Sequence, residues 1–391
     1  MRFLVLAIFM LGTSACTTVA LRDTEPAPEL TLSELALDAR QVASAPARSI
    51  SYTDLPAQAA ALQNARQLET MIADFTRDAA DSDERHRLIV AELKLLSAFK
   101  GIRRRLNAIE SAYRFNADDL FRTVTGIDFD RWSRNPAVRR FLDGNGISPV
   151  PALRSELEFS QFLGTVAIEL RGVAAILKNL RDDNYPSAFC VFTCTGAKSV
   201  SNLHALAVVA SWGAKISFVK GYDLHTLFTV NQRVDGRLLR GRPLTARDNE
   251  ILRLSRSLFR LFPSGAGWVA QAYWWSNQYV KVLERELDWV SQQESPDPAK
   301  VASLQIHYQI LKGEKIPSRS GAIYHASLPD FYRNPPPDLK AFLPIRVQVG
   351  PIERYLPGAQ SPAGAIAHFQ FLDQRWPGGA PFPLNVFFKL R

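Results

Sequence analysis

A chain of 391 residues that is 47% hydrophobic and 22% charged has a globular composition and can bury a sizeable core. Its formal net charge of +9, carried mostly by arginine, suits nucleic acid, anionic lipid or acidic glycan, or a basic surface with no dedicated partner. No segment beyond the N-terminus reaches 18 uncharged apolar residues. The nearest, Leu203 to Ala214, is interrupted by His204 and stopped by Lys215, and reads as a buried core helix rather than a membrane span.

The chain begins with Arg2, an apolar run from Phe3 to Leu11, and the small residues Thr13-Ser14-Ala15 before Cys16. That order of charged, apolar and small residues is a secretory signal, and its apolar run is too short to span a bilayer. With a cysteine directly after the small residues, the stretch resembles a bacterial lipoprotein signal. The resemblance covers residues 1–16 only. It implies that Cys16 becomes the lipidated first residue and anchors the chain in a bacterial envelope. Thr17, where an acidic residue would signal retention, implies sorting to the outer membrane, facing the periplasm. An exported protein has no nucleic acid to meet, which leaves anionic lipid, cell-wall glycan or another envelope protein as expected partners.

Residues 17–49, rich in Ala, Pro, Thr and Ser, read as a flexible tether. Asp54 to Tyr113 reads as two antiparallel helices. The first carries Leu62, Ala65, Leu68, Ile72 and Phe75 at spacings of three and four, and the second Leu88, Ala91, Leu95, Phe99, Ile102, Leu106 and Ile109. Short helices and turns follow, with a possible subdivision at 144–151, where Gly144, Gly146, Pro149 and Pro151 cluster. A long helix is expected from about Leu153 to Leu180, one face marked by Leu157, Leu163, Val166, Leu170, Val173 and Leu177; Gly164 and Gly172 within it suit the close approach of a neighbour. Ser199 to about Val230 is apolar and helical. Thr245 with Asp248 predicts a capping box opening a helix to Phe262, and Ser264 is expected to cap a helix from Ala266 to about Ser291. A further helix spans Pro298 to Leu311.

Twelve of the 24 prolines fall in residues 317–391, where strand-like pieces occur at Ile345–Val349, Ala367–Leu372 and Leu384–Leu390. The expected fold class is therefore mainly α: a multi-helix, bundle-like body over 50–315, followed at 316–391 by a proline-rich, irregular cap with a few short strands.

Cysteine usage fits export. With Cys16 taken by lipid, Cys190 and Cys194 remain as an even pair three residues apart, either a disulfide closing a short loop or two buried thiols. Their spacing does not suit thiol redox chemistry, which uses two intervening residues.

Catalytic signatures are sparse. Thr195 to Ser199 lacks the glycines of a phosphate-binding loop. Ser97-Ala98-Phe99-Lys100 and Ser217-Phe218-Val219-Lys220 match the SxxK spacing of serine acyl-enzymes, but Ser97 falls in mid-helix beside core positions. Asp223 and His225 alternate so that an extended segment would point both the same way, as a general-base pair or, with His204, as metal ligands; a hydrogen-bonded structural histidine is the plainer alternative. No third ligand is evident, so no metal is expected, and no cofactor motif is present. The basic stretch from Arg233 to Arg247 leads into Arg253, Arg256 and Arg260, which share one face of the expected helix and form a candidate anion-binding face, or a charged solvated one. The aromatic belt Trp268, Tyr273, Trp274, Trp275, Tyr279 and Trp289 is too wide for one helix face; any ring left exposed could stack on a sugar or lipid. These features favour a non-catalytic, lipid-anchored envelope protein binding an anionic or glycan component or another envelope protein. The alternative is an envelope hydrolase built around Asp223 and His225.

Overall fold

The computed structural model describes residues 55–75, 83–114, 116, 118, 121–122, 125–192, 199–234, 245–294, 296–312, 328–333, 346–349 and 352–355. Cys16, the tether, Cys194 and the segments 367–372 and 384–390 lie outside them. Among the described residues the fold is mainly α. Helices α1 (Leu55–Ala60) and α2 (Ala65–Phe75) come first, followed by α3 (Arg87–Ala98) and α4 (Ile102–Tyr113). Then come α5 (Phe129–Trp132), α6 (Pro136–Asp143), the long α7 (Glu156–Lys178) and α8 (Asn202–Lys220). After α9 (Leu227–Arg233) and α10 (Ala246–Leu254) stand the longest helix, α11 (Ala266–Ser291), and then α12 (Pro298–Lys312) and α13 (Leu328–Arg333).

Local chemistry sets most of these boundaries. Ser155 accepts a hydrogen bond from the Glu158 N–H and starts α7, Asn135 caps α6 with a proline in its first turn, and the Thr245–Asp248 capping box opens α10 as its sequence predicts. The expected second helix is instead two, α3 and α4. Gly101 takes a left-handed φ of +60°, and its N–H donates to the Phe141 carbonyl at 3.0 Å. Any Cβ there would lie 2.7 Å from Val150, so the kink belongs to glycine. The apolar spacing runs through it unbroken, with Phe99, Ile102, Leu106 and Ile109 all buried, so periodicity alone does not reveal the break.

Four helices carry the architecture in layers: α3 packs on α7, α7 on α8, and α8 on α11, with α12 and α13 lying against α11. Fourteen of the nineteen residues of α8 are buried, so it is a core helix enclosed on all sides. Gly213 lets α8 approach α11 so closely that a Cβ would lie 2.5 Å from the Trp275 ring. A second aromatic centre surrounds Phe99, which makes edge contacts with Phe121, Phe129 and Trp132 at centroid distances of 5.7, 5.2 and 5.4 Å; such pairs add about 0.5–1.5 kcal/mol each beyond burial.

The strands are short. β1 (Asn184–Pro186) and β2 (Ser199–Ser201) pair antiparallel and flank the cysteine loop. β3 (Arg346–Val349), anticipated by the strand-like run at Ile345–Val349, forms an antiparallel hairpin with β4 (Ile352–Tyr355).

Candidate functional site

Helix α7 is long and apolar enough to cross a membrane, yet half of that stretch is buried inside the body. Its remaining surface carries two polar sites, one on each flank.

On the first flank, an open cleft of about 460 Å³ lies between α7, the end of α3 and the loop preceding α7. Arg105, from α4, enters it half-buried with its guanidinium 4.4 Å from the centre of the Phe162 ring. Its Nε donates to the Pro151 carbonyl at 3.2 Å, and burial lowers its pKa. No carboxylate pairs with it among the described residues. Arg103, two positions earlier, shows the contrast: it binds Asp118, Asp130 and Asp143 at 2.9–3.3 Å. Glu158 and Glu169, from α7 like Phe162, also line the cleft, the latter 3.1 Å from Lys94.

On the second flank, α7 faces α11 across the end of α8. Lys220 donates to the Ser160 hydroxyl at 2.9 Å, and its ammonium lies 5.6 Å from the centre of the Trp268 ring. Gly164 makes room, since a Cβ there would lie 3.3 Å from Cε of Lys220 and 3.7 Å from Trp268. Toward the other end of α7, the Lys178 ammonium stands 5.1 Å from the Trp274 ring. At about 100° per residue, Ser160, Gly164, Arg171 and Lys178 fall within about 40° of one another around the helix, along about 27 Å of its length. Burial lowers the pKa of Arg171, Lys178 and Lys220 alike. None of the three has a carboxylate partner among the described residues. The strip is thus basic and aromatic, with Trp274 40% exposed.

The aromatic belt divides accordingly. Trp275 is core, packed on Gly213, while Trp268 and Trp274 sit beside lysines. Tyr279 is pushed well above the usual phenol range by burial and by Glu286. Glu286 is 1% exposed; one oxygen lies 3.7 Å from Nδ1 of His204 and the other has no hydrogen-bond partner among the described residues. Burial raises the Glu286 pKa. Burial, with Lys300 and Arg131 adding to it, lowers His204 to about 4.

The remaining sequence candidates are placed as follows. His204 lies in the first turn of α8 and His225 follows its end; about 24 Å of helix, from His204 to Lys220, separates them, so a ligand set joining His204 to Asp223 and His225 does not form. Among the described residues no group of three His, Cys, Asp or Glu could hold a metal ion. His225 is exposed, and Asp223 accepts a hydrogen bond from its backbone N–H at 2.6 Å. The Asp223 backbone is itself tied to Phe259 and Arg260 at 2.7 and 2.8 Å, which makes this a structural turn. Arg253, Arg256 and Arg260 do not share a helix face, because α10 ends at Leu254 and the chain turns to pair Leu261 with Tyr222. Arg253 is held by Glu250 in a two-pronged pair at 2.8 and 2.6 Å.

Neither SxxK serine meets its lysine: Lys100 binds Glu69, while Ser217 is buried and Lys220 reaches Ser160. Ser264 sits in a 3₁₀ turn, and α11 starts after Gly265 without a side-chain cap. Cys190 is disulfide-bonded; Cys194 lies outside the described residues. The cysteine loop is held by Glu92, a buried carboxylate of α3 that accepts from the Ser187 hydroxyl at 2.6 Å and from the backbone of Ala188, Phe189 and Val191 at 3.0–3.2 Å.

Sequence reasoning passed over Glu92, although a lone glutamate amid Leu88, Ile89, Leu95 and Leu96 was a visible signal. Arg105, Arg171, Lys178 and Glu286 carried no such mark. Comparison with protein-family models, with curated proteins and with solved structures finds no match for this chain.

Proposed function

We propose that this is a non-catalytic envelope protein, lipid-anchored through Cys16 at the outer membrane, whose helical body holds an anionic envelope component on the strip formed by Lys220, Arg171, Lys178, Trp268 and Trp274. The observation that carries the reading is a set of three cations that are partly desolvated and lack carboxylate partners among the described residues. Desolvating a charge without a partner costs free energy, and an anionic ligand would recover that cost. Tryptophan faces beside the lysines supply apolar contact for a lipid or sugar attached to the anion. The hydrolytic reading at Asp223 and His225 gains no such support, because the carboxylate serves the backbone of its own turn.

The test is co-sedimentation of the full chain with phosphatidylglycerol-containing vesicles and with cell-wall fragments. It compares wild type with a variant combining Arg171→Gln, Lys178→Gln and Lys220→Gln. At about 1 kcal/mol per cation near an anionic surface, the expected loss is roughly hundredfold in affinity, with binding weakened by salt. Arg253→Gln, whose guanidinium is already paired, should bind as wild type does. Equal binding by the triple variant, or no binding to either preparation, overturns the proposal.

A further inference from the structure

The cleft on the other flank of α7 shares no residue with the basic strip and points to a different ligand. Arg105 is held as a pre-set fork: its guanidinium lies over the Phe162 ring, 4.4 Å from the ring centre, and its Nε is fixed on the Pro151 carbonyl at 3.2 Å. The terminal nitrogens have no partner among the described residues and belong to a group lining the cleft. A planar fork with its orientation already fixed suits a carboxylate bound through two parallel hydrogen bonds.

The same cleft carries negative charge. Glu158 accepts from the Arg154 N–H through one oxygen, and Glu169 meets Lys94 through one oxygen; the second oxygen of each has no partner among the described residues. Ser97, which is exposed, also lines the cleft. A simple dianion would be repelled by the two glutamates, and a simple cation by Arg105. A molecule with a carboxylate at one end and an ammonium at the other satisfies both. The volume of about 460 Å³ lies within the range of small-molecule sites, about 300–1,000 Å³.

We propose that this cleft binds a small amphoteric ligand, an amino acid or short peptide, with its carboxylate on Arg105 and its ammonium toward Glu158, one helical turn from Phe162 on α7. The test is calorimetric titration of the full chain with the dipeptide Ala-Ala, its C-terminal amide and its N-acetyl form at millimolar concentrations. Free dipeptide is expected to bind saturably, the amide at least about tenfold more weakly, and the N-acetyl form several-fold more weakly. Arg105→Lys, which keeps the positive charge but loses the fork, should weaken the free dipeptide about tenfold without changing the helical circular dichroism. The Arg171/Lys178/Lys220 variant should bind it as wild type does, so the two sites fail or stand separately. No saturable binding of the free dipeptide, or an amide that binds as well as it, overturns the proposal; because these arms use wild-type protein, a misfolded variant does not remove the test.

Discussion

Glu92 shows how much one side chain can organise. Its carboxylate gathers four donors from the cysteine loop while lying among the apolar residues of α3. Burial nevertheless raises its pKa, outweighing those donors. A buried donor left unpaired costs about 1–3 kcal/mol, so Glu92→Ala should lower stability by at least about 3 kcal/mol in urea unfolding; Glu92→Gln, which keeps one carbonyl oxygen, should lower it less. His204 and Glu286 make a second test at this scale. The His204 pKa is lowered to about 4, so below about 6.5 the unfolded chain takes up that proton first. Its contribution to stability is therefore lost as pH falls from about 6.5 to about 4. Glu286 is raised, and its contribution runs the other way, fading as pH rises through its folded pKa. His204→Gln removes only the first slope. Relative to wild type, the variant should become steadily more stable between about pH 7 and about pH 4.5 in thermal melts; a constant difference would show that His204 does not titrate as its surroundings dictate.

Among elements, the glycines separate rigid contacts from flexible ones. Gly213 faces the rigid ring of Trp275 at 2.5 Å, whereas the nearest atom to a Cβ at Gly172 is the flexible end of Lys94. Helix propensity favours alanine at both by about 1 kcal/mol. Gly172→Ala should thus be neutral or slightly stabilising, while Gly213→Ala should be destabilising by about 1–3 kcal/mol as the core is overpacked; chemical denaturation of the two variants decides. The sequence marked Gly164 and Gly172 but not Gly213, because a glycine's role depends on what lies across from it. Helix starts were easier to read. Ser155 and the Thr245–Asp248 pair act on their own first turns, within reach of local inspection. The end of α10 was not, since Tyr222, far away in the chain, pulls residues 260–262 out of a helix that their spacing would allow.

At the scale of the molecule, one continuous apolar core runs from Leu55 to Tyr332. Tyr332 is 2% exposed and meets the Phe218 ring at 5.1 Å, so the part of the chain after residue 315 contributes to the core. A chain truncated at residue 315 should melt at a lower temperature than the full protein, and Tyr332→Ala alone should cost about 3 kcal/mol. Both candidate sites are properties of this assembly. Arg105 meets Phe162, Lys220 meets Trp268 and Lys178 meets Trp274 only once separate helices are packed. No spacing rule along the chain joins such partners, which is why the helices could be anticipated while the sites could not.

The enclosure of α8 also bears on how the chain is made. Its apolar surface is covered by α7 from earlier in the sequence and by α11 and Tyr332 from later. During synthesis, residues 202–220 therefore emerge well before their last covering has been translated. At about 5–20 residues per second, that helix waits several seconds with its apolar sides uncovered. A nascent chain in that interval is a natural client for chaperones, and a polypeptide that must pass a narrow pore before folding would have its interior closed only by the arrival of its distal part.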